Sequence, residues 1–369
     1  MIPDNWPLHG GQANPLLARF GLPETLPVLD VSANLNPLGP PTWLADWLAE
    51  RMTTLSRYPD PDYTEARTAI ADKEGVDTDH VLLTNGGAEA IFLAAALHAG
   101  ESAAIVQPGF AEYRRACAAH GLSTLDIPLA PPEFCLEPES AFRASDGCRL
   151  LFLCRPHNPT GKLVPRRAME RLLALTAERG CRLVVDEAFI DFVDDPNEAL
   201  TPLLARFDHL ILLRSLTKLH SLPGLRIGYL LADPRIVQHA STLQPAWSVN
   251  SLAAGLVPDL LEDHDFLTRT HEWLMTERPR LHAGLESLGL EVVPSQANFF
   301  LIRHREGKEA TRALLPALLR RGILIRHTES FAGLEGEWLR LAVLDAESND
   351  RLLAALVEVL DDIGAGDYV

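Results

Sequence analysis

From Val81 onward, short apolar runs alternate with longer stretches whose apolar residues recur at helical spacing. The runs at 81–84, 103–106, 149–153, 182–186, 209–213 and 226–231 are rich in aliphatic residues and read as buried strands. The stretch from Asn85 to about His98 is one of the helical segments between them. Strand and helix in alternation predict an α/β fold, a mostly parallel sheet covered by helices on both faces. After Pro245 the pattern changes to long helical stretches, among them Asp263 to about Leu288. Beyond these, 298–302 and 338–343 read as strands and 308–320 and 346–360 as helices, which predicts a smaller C-terminal α+β unit. No fixed-period repeat or low-complexity tract interrupts this order.

A chain of 369 residues exceeds one typical domain, so one large and one small domain is the natural expectation. Hydrophobic residues make up 47% and charged residues 22%, an ordinary globular balance. The formal net charge of −17 disfavours nucleic acid or an anionic membrane as partner. A small anionic substrate stays compatible with it, because local arginines can override the global field. The five cysteines, Cys117, Cys135, Cys148, Cys154 and Cys181, are odd in number and lack zinc-ligand spacing. Reduced thiols and no metal are expected. Met1 to Trp6 lack the basic and apolar regions of a signal peptide, and the best apolar run, Ala90 to Leu97, is too short to span a bilayer. A cytoplasmic protein is expected.

Candidate chemistry concentrates where these strands end. Ser215-Leu216-Thr217-Lys218, with Arg226 eight residues beyond Lys218, joins an amine, two hydroxyls and a guanidinium beside an apolar strand. The amine can hold the aldehyde of pyridoxal phosphate covalently, and the other groups can grip its phosphate. Asp186 ends the run Arg182-Leu183-Val184-Val185, at the strand end where open α/β sheets place ligands. Paired with a pyridine nitrogen it keeps that nitrogen protonated; alone, it is equally compatible with a cap on the following turn. Asn85-Gly86-Gly87-Ala88 follows a strand and opens a helix, so its backbone N–H groups can approach a phosphate, although an ordinary tight turn reads the same way. Cys154-Arg155-Pro156-His157-Asn158-Pro159-Thr160-Gly161 is a loop fixed by proline and glycine, from which Asn158 can donate to the cofactor's phenolic oxygen.

With these four segments the chain resembles the fold-type I pyridoxal phosphate enzymes, near the histidinol-phosphate aminotransferase group, over essentially its whole length. The resemblance implies Lys218 as the lysine that holds the cofactor, Asp186 as the pyridinium partner and Asn158 beside the phenolic oxygen. It implies a phosphate site of Gly87, Ala88, Ser215, Thr217 and Arg226, and Phe110 stacked on the cofactor ring. Tyr58, in Arg57-Tyr58-Pro59-Asp60, is implied to reach the neighbouring subunit's cofactor phosphate, hence a homodimer with shared active sites. Residues 1–40 are implied to pack with 270–369 as the small domain, leaving 41–269 as the large one.

A narrower resemblance, to the threonine-phosphate decarboxylases of cobalamin synthesis, rests on Leu8-His9-Gly10-Gly11, Ser32 to Pro41, Pro108-Gly109-Phe110-Ala111-Glu112-Tyr113 and Asp186 to Phe192. Aminotransferases of the group usually carry Tyr where this chain has Phe189. The implied reaction is decarboxylation of L-threonine O-3-phosphate to aminopropanol phosphate, with Lys218 moving the proton at Cα. Geometry chooses this outcome: arginines that hold a side-chain phosphate leave the α-carboxylate free to stand perpendicular to the conjugated plane and depart. Arg326 and Arg340, which interrupt apolar strands, are the candidates for that grip, with salt bridges to carboxylates as the alternative for each. The resemblance adds His9 and Asn34 over the substrate phosphate. Histidinol-phosphate transamination is the alternative reaction, and a catalytically silent protein on this fold the alternative class.

Overall fold

The structure, a computed structural model, describes residues 6–364. Met1–Asn5, on which the expectation of no signal peptide largely falls, and 365–369, at the end of the expected small domain, lie outside the described residues. In chain order the strands are β1 (Leu29–Asp30), β2 (Val81–Thr84), β3 (Ser102–Gln107), β4 (Ser123–Pro128), β5 (Leu150–Cys154), β6 (Arg182–Asp186), β7 (Leu210–Ser215), β8 (Gly228–Ala232), β9 (Glu291–Val292), β10 (Phe299–Arg303), β11 (Ile323–Leu324), β12 (Arg326–His327) and β13 (Leu339–Ala342).

Seven of them form one sheet in the order β2-β8-β7-β6-β5-β3-β4. Strands β7, β6, β5, β3 and β4 are mutually parallel, while β8 runs antiparallel to both its neighbours. Two successive reversals leave β2 pointing the same way as β7. The carboxyl ends of β2, β5, β6 and β7, and the start of β8, therefore share one edge. Alternation along the strands splits their side chains between two cores: Leu151, Leu153, Leu210 and Leu212 face one way, and Leu150, Phe152, Ile211 and Leu213 the other. Helices cover both faces, as a sheet buried on both sides requires.

Strand β4 is not among the expected strands. Its sequence, Ser-Thr-Leu-Asp-Ile-Pro, lies at the sheet edge and buries only Ile127, so it carries no apolar run to betray it. Strand β8 starts at Gly228 rather than at 226, because Arg226 sits in the left-handed region at φ +56° and breaks the extended backbone.

Beyond the sheet, the long helix His264–Ser287 leads to a four-stranded antiparallel sheet, β12-β13-β10-β9. The helices Lys308–Arg320 and Ala346–Gly364 pack on it through Leu314, Leu318, Leu352 and Leu356. Strand β1 pairs in parallel with β11, and Leu16 and Leu17 pack against Leu319 and Leu324. The division we propose between 269 and 270 falls inside the continuous helix His264–Ser287. Among the described residues no helix is long and apolar enough to cross a membrane.

Candidate active site

At the shared strand edge lies a cavity of about 470 Å³, lined among others by Lys218, Asp186, Asn158, Phe110, Ala88 and Arg226, and by His9, Asn34, Arg326 and Arg340. Residues from both ends of the chain thus meet those of the central sheet. Gly87, Ser215, Thr217 and Tyr58 do not line it.

The corner where β2 passes into the helix Gly86–Ala96 is built by close approach. Gly86 has φ +75°, and a Cβ there would come within 2.6 Å of a guanidinium nitrogen of Arg226. A Cβ on Gly228 would lie 3.0 Å from the backbone nitrogen of Gly87. Glycine at both positions lets β8, the helix start and the Arg226 guanidinium share one corner, where free N–H groups and a cation favour an anion. Next to it, Ser215 Oγ and Thr217 Oγ1 lie 2.8 Å apart at the end of β7. The hydroxyls, N–H groups and guanidinium gathered here have the chemistry that a phosphate needs.

Lys218 projects into the cavity from a single helical turn after β7. Burial, then the charges of Arg340 and Arg226, lower its pKa to about 8 against the opposing pull of Asp186. A substantial fraction of the amine is therefore uncharged near neutral pH. Asp186, at the end of β6, accepts from the Tyr113 hydroxyl at 2.7 Å and from the Ala188 backbone N–H at 3.1 Å. Burial raises its pKa, opposed by Tyr113, Ala188 and the charge of Lys218. Tyr113 is itself pushed well above its ordinary value by burial and by Asp186, so it stays a donor. A protonated ring nitrogen is the kind of partner that would hold this carboxylate ionised.

Asn158 Oδ1 accepts from Arg340 at 2.5 Å, which leaves its Nδ2 as the donor available to a phenolic oxygen. Phe110 stands at the start of the helix Ala111–Ala119, its ring 6.0 Å from that of Tyr113 and 5.6 Å from that of His9. Phe189 also lines the cavity. Lysine, buried carboxylate, amide donor, aromatic ring and the groups at that corner together fit pyridoxal phosphate.

The other end of the cavity is cationic although the chain as a whole is strongly acidic. Arg340 donates to Asn158 and, at 2.8 Å, to the Ser32 carbonyl; Arg326 donates to the carbonyls of Pro7 and Leu8 and to Ser330 Oγ. Neither forms a salt bridge among the described residues, so the structural alternative considered for each is not realised. Burial alone lowers Arg326 to about 10, and burial, then Arg326, lowers Arg340 to about 9. Both amide atoms of Asn34 and the Nε of Arg340 are buried without a hydrogen-bond partner among the described residues. Unpaired donors and buried cations on one wall are the chemistry of an anion site.

Tyr58 stands apart. It is 79% exposed and packs its ring on Trp247 at 4.6 Å, away from the cavity of its own chain.

Sequence reasoning missed the groups that hold the site in place. Ser32 is gripped from two sides: Arg340 takes its carbonyl, and Gly10 lies so close that a Cβ would come within 2.2 Å of the same oxygen. The side chain of Glu112 faces the cavity between His9 and Arg115. Behind the site Arg155 pairs with Glu187 at 3.0 Å and with Glu198, and Arg214 pairs with Glu187 at 3.0 Å and Glu74 at 3.5 Å. This network ties the segments that follow β5 and β6 to the end of β7 and to the helix Thr64–Glu74. Glu187 follows Asp186 directly, but nothing in the local sequence marks it as buried.

The family described as aminotransferase class I and II matches residues 27–356. The threonine-phosphate decarboxylase of Salmonella typhimurium is 37% identical over 97% of this chain and 98% of its own length. The histidinol-phosphate aminotransferase of Methanothermobacter thermautotrophicus is 33% identical over 92% of this chain and 91% of its own. Among solved structures, the histidinol-phosphate aminotransferase from Clostridium acetobutylicum superimposes with a TM-score of 0.85 at 29% identity, covering 91% of this chain and all of the other.

Proposed function

We propose, from the premise that the chain belongs to the class I and II aminotransferase family, that it is a pyridoxal phosphate enzyme that decarboxylates L-threonine O-3-phosphate to aminopropanol phosphate for cobalamin synthesis. The observation that carries this reading is the pair Arg326 and Arg340, buried in the cavity of Lys218 and Asp186 with no carboxylate partner among the described residues. The similarity to threonine-phosphate decarboxylase supports it.

When bound, pyridoxal phosphate supplies an electron sink for a bond at the substrate's α carbon. The chain's residues do the rest. Gly87, Ala88, Ser215, Thr217 and Arg226 would hold the cofactor phosphate, Phe110 would flank the ring, and Asp186 would keep the ring nitrogen charged. Lys218 would provide the amine that anchors the cofactor and, as a free amine, would give or take the proton at Cα. Its pKa of about 8 suits both roles near neutral pH. Arg326, Arg340, Asn34 and His9 grip the substrate's phosphate, so no guanidinium is committed to clamping the α-carboxylate in the plane. Phe189 lines the same wall without offering a hydroxyl.

A homodimer with shared sites fits the surface. Met52, Leu55, Tyr58 and Trp247 are exposed apolar side chains, and Tyr58 belongs in the partner's phosphate site in this reading. A cytoplasmic location accords with five free cysteines.

The test is one reaction. Threonine phosphate with the holoenzyme should release CO₂ and aminopropanol phosphate in the absence of any keto acid. Glutamate from histidinol phosphate and 2-oxoglutarate, with threonine phosphate inert, would replace this reading by the aminotransferase.

A further inference from the structure

The N-terminal segment meets the helix Ala111–Ala119 at one polar contact. His9 Nε2 lies 3.0 Å from Glu112 Oε1, and Glu112, almost wholly buried, accepts from Arg115 at 2.6 Å through the same oxygen. The His9 ring also packs against Phe110, and all four side chains line the cavity. A carboxylate that accepts the Nε2 proton fixes which ring nitrogen is left over. Nδ1 is then the atom available to a ligand, and it donates only when the ring carries its second proton.

We propose that Glu112 is a positioning residue that orients His9 and keeps its ring doubly protonated when a phosphate dianion is bound, so that the His9–Glu112 pair adds to the arginines' preference for a dianionic phosphate. The proposal rests on the reading of Arg326, Arg340, Asn34 and His9 as a phosphate site. It adds a residue from the cofactor-bearing part of the chain that has no place in that list.

The charged groups that act on His9 are Glu112 and Arg115 from the helix and Arg326 from β12. Burial lowers its pKa most, Arg326 and Arg115 lower it further, and Glu112 opposes them. Without Glu112 nothing among these groups favours the imidazolium. A bound dianion adds a second opposing charge, so the ring takes up a proton as phosphate binds, and Glu112 sets the pH at which it does.

Two measurements on the holoenzyme test this. Histidine resonances, with His9 assigned by His9→Asn, should show the His9 titration moving upward when inorganic phosphate is added. In Glu112→Gln, which keeps an acceptor but removes the charge, the same titration should lie at lower pH with and without phosphate. In turnover of threonine phosphate, Glu112→Gln should raise KM about tenfold at pH 8 with kcat within about twofold. The rise of KM with pH should also begin at lower pH than in the parent. In the His9→Asn background, Glu112→Gln should add no further change in KM. A His9 titration and a KM–pH profile both unmoved by Glu112→Gln would overturn the proposal. Failure of the parent enzyme to process threonine phosphate would instead overturn the reaction assignment, and the phosphate-dependent titration would still decide the role of Glu112.

Discussion

The Tyr113 hydroxyl donates to Oδ2 of Asp186 at 2.7 Å, and this bond connects the helix that carries Phe110 to the end of β6. Among the described residues it gives the buried carboxylate one of its two hydrogen bonds, the Ala188 N–H giving the other. Both favour ionisation of Asp186 against the cost of burial.

Asp186→Asn should leave cofactor binding largely intact and cut kcat by roughly three powers of ten or more, because an amide cannot hold the ring nitrogen protonated; each power of ten is about 1.4 kcal/mol of barrier. Tyr113→Phe removes one donor and leaves the charge, so its loss should be nearer tenfold, in line with about 1–3 kcal/mol for a buried acceptor left short of a partner. Steady-state rates of the two variants decide the order. An Asp186→Asn enzyme with a near-normal rate would make Asp186 structural only.

Lys218 should be the residue that carries the cofactor. Borohydride reduction of the holoenzyme should fix pyridoxal phosphate to the peptide containing Lys218, and Lys218→Ala should abolish turnover. Only the free amine can attack an aldehyde. With the pKa at about 8, reconstitution of the apoenzyme should slow about tenfold for each pH unit below that value and level off above it. Arg340 is one of the groups that lower this pKa, so Arg340→Ala should move the break to higher pH. Stopped-flow absorbance of reconstitution across pH reads both.

The sheet was legible because its strands are buried on both faces and therefore stand out as aliphatic runs. β4, half exposed at the edge, offered no such run. In the site, Lys218, Asp186, Asn158 and Arg226, which the cavity brings together, were marked in the sequence because each stands at a strand end or within a few residues of one. Glu112, Tyr113 and Ser32 could not, since their roles come from contacts across long stretches of chain: His9 with Glu112, Tyr113 with Asp186, Arg340 with Ser32. Local pattern carries no trace of such pairings. The Arg155–Glu187–Arg214–Glu74 network was hidden for the same reason, each member reading alone as an ordinary surface charge.

Tyr58 should serve the partner's site. Lys218→Ala and Tyr58→Phe homodimers, each impaired, should regain some activity after subunit exchange, because a hybrid dimer contains one site with both residues intact. Verified exchange without recovery would assign Tyr58 to its own subunit or to no catalytic role. The exposed pair Tyr58 and Trp247 offers a direct readout of association, since tryptophan fluorescence should change with dimer concentration.

The choice of substrate should be written in Arg340. Its guanidinium is buried, its pKa is pulled down to about 9, and its Nε has no partner among the described residues, so a phosphate dianion would relieve a cost that these residues leave standing. Threonine without its phosphate cannot provide that relief. Leaving buried charges unpaired typically costs about 3–5 kcal/mol, which amounts to roughly two to four powers of ten between the two substrates in kcat/KM. Arg340→Ala should narrow this gap by one to two powers of ten, roughly the share of one guanidinium in a two-arginine grip, by slowing threonine phosphate far more than threonine. Arg340→Lys should restore only part of it, because an ammonium cannot contact Asn158, the Ser32 carbonyl and a phosphate oxygen together as the guanidinium fork can. Equal losses for both substrates in Arg340→Ala would mean that the arginine supports Asn158 and the N-terminal segment without touching phosphate, and Arg326 would then be the next residue to test.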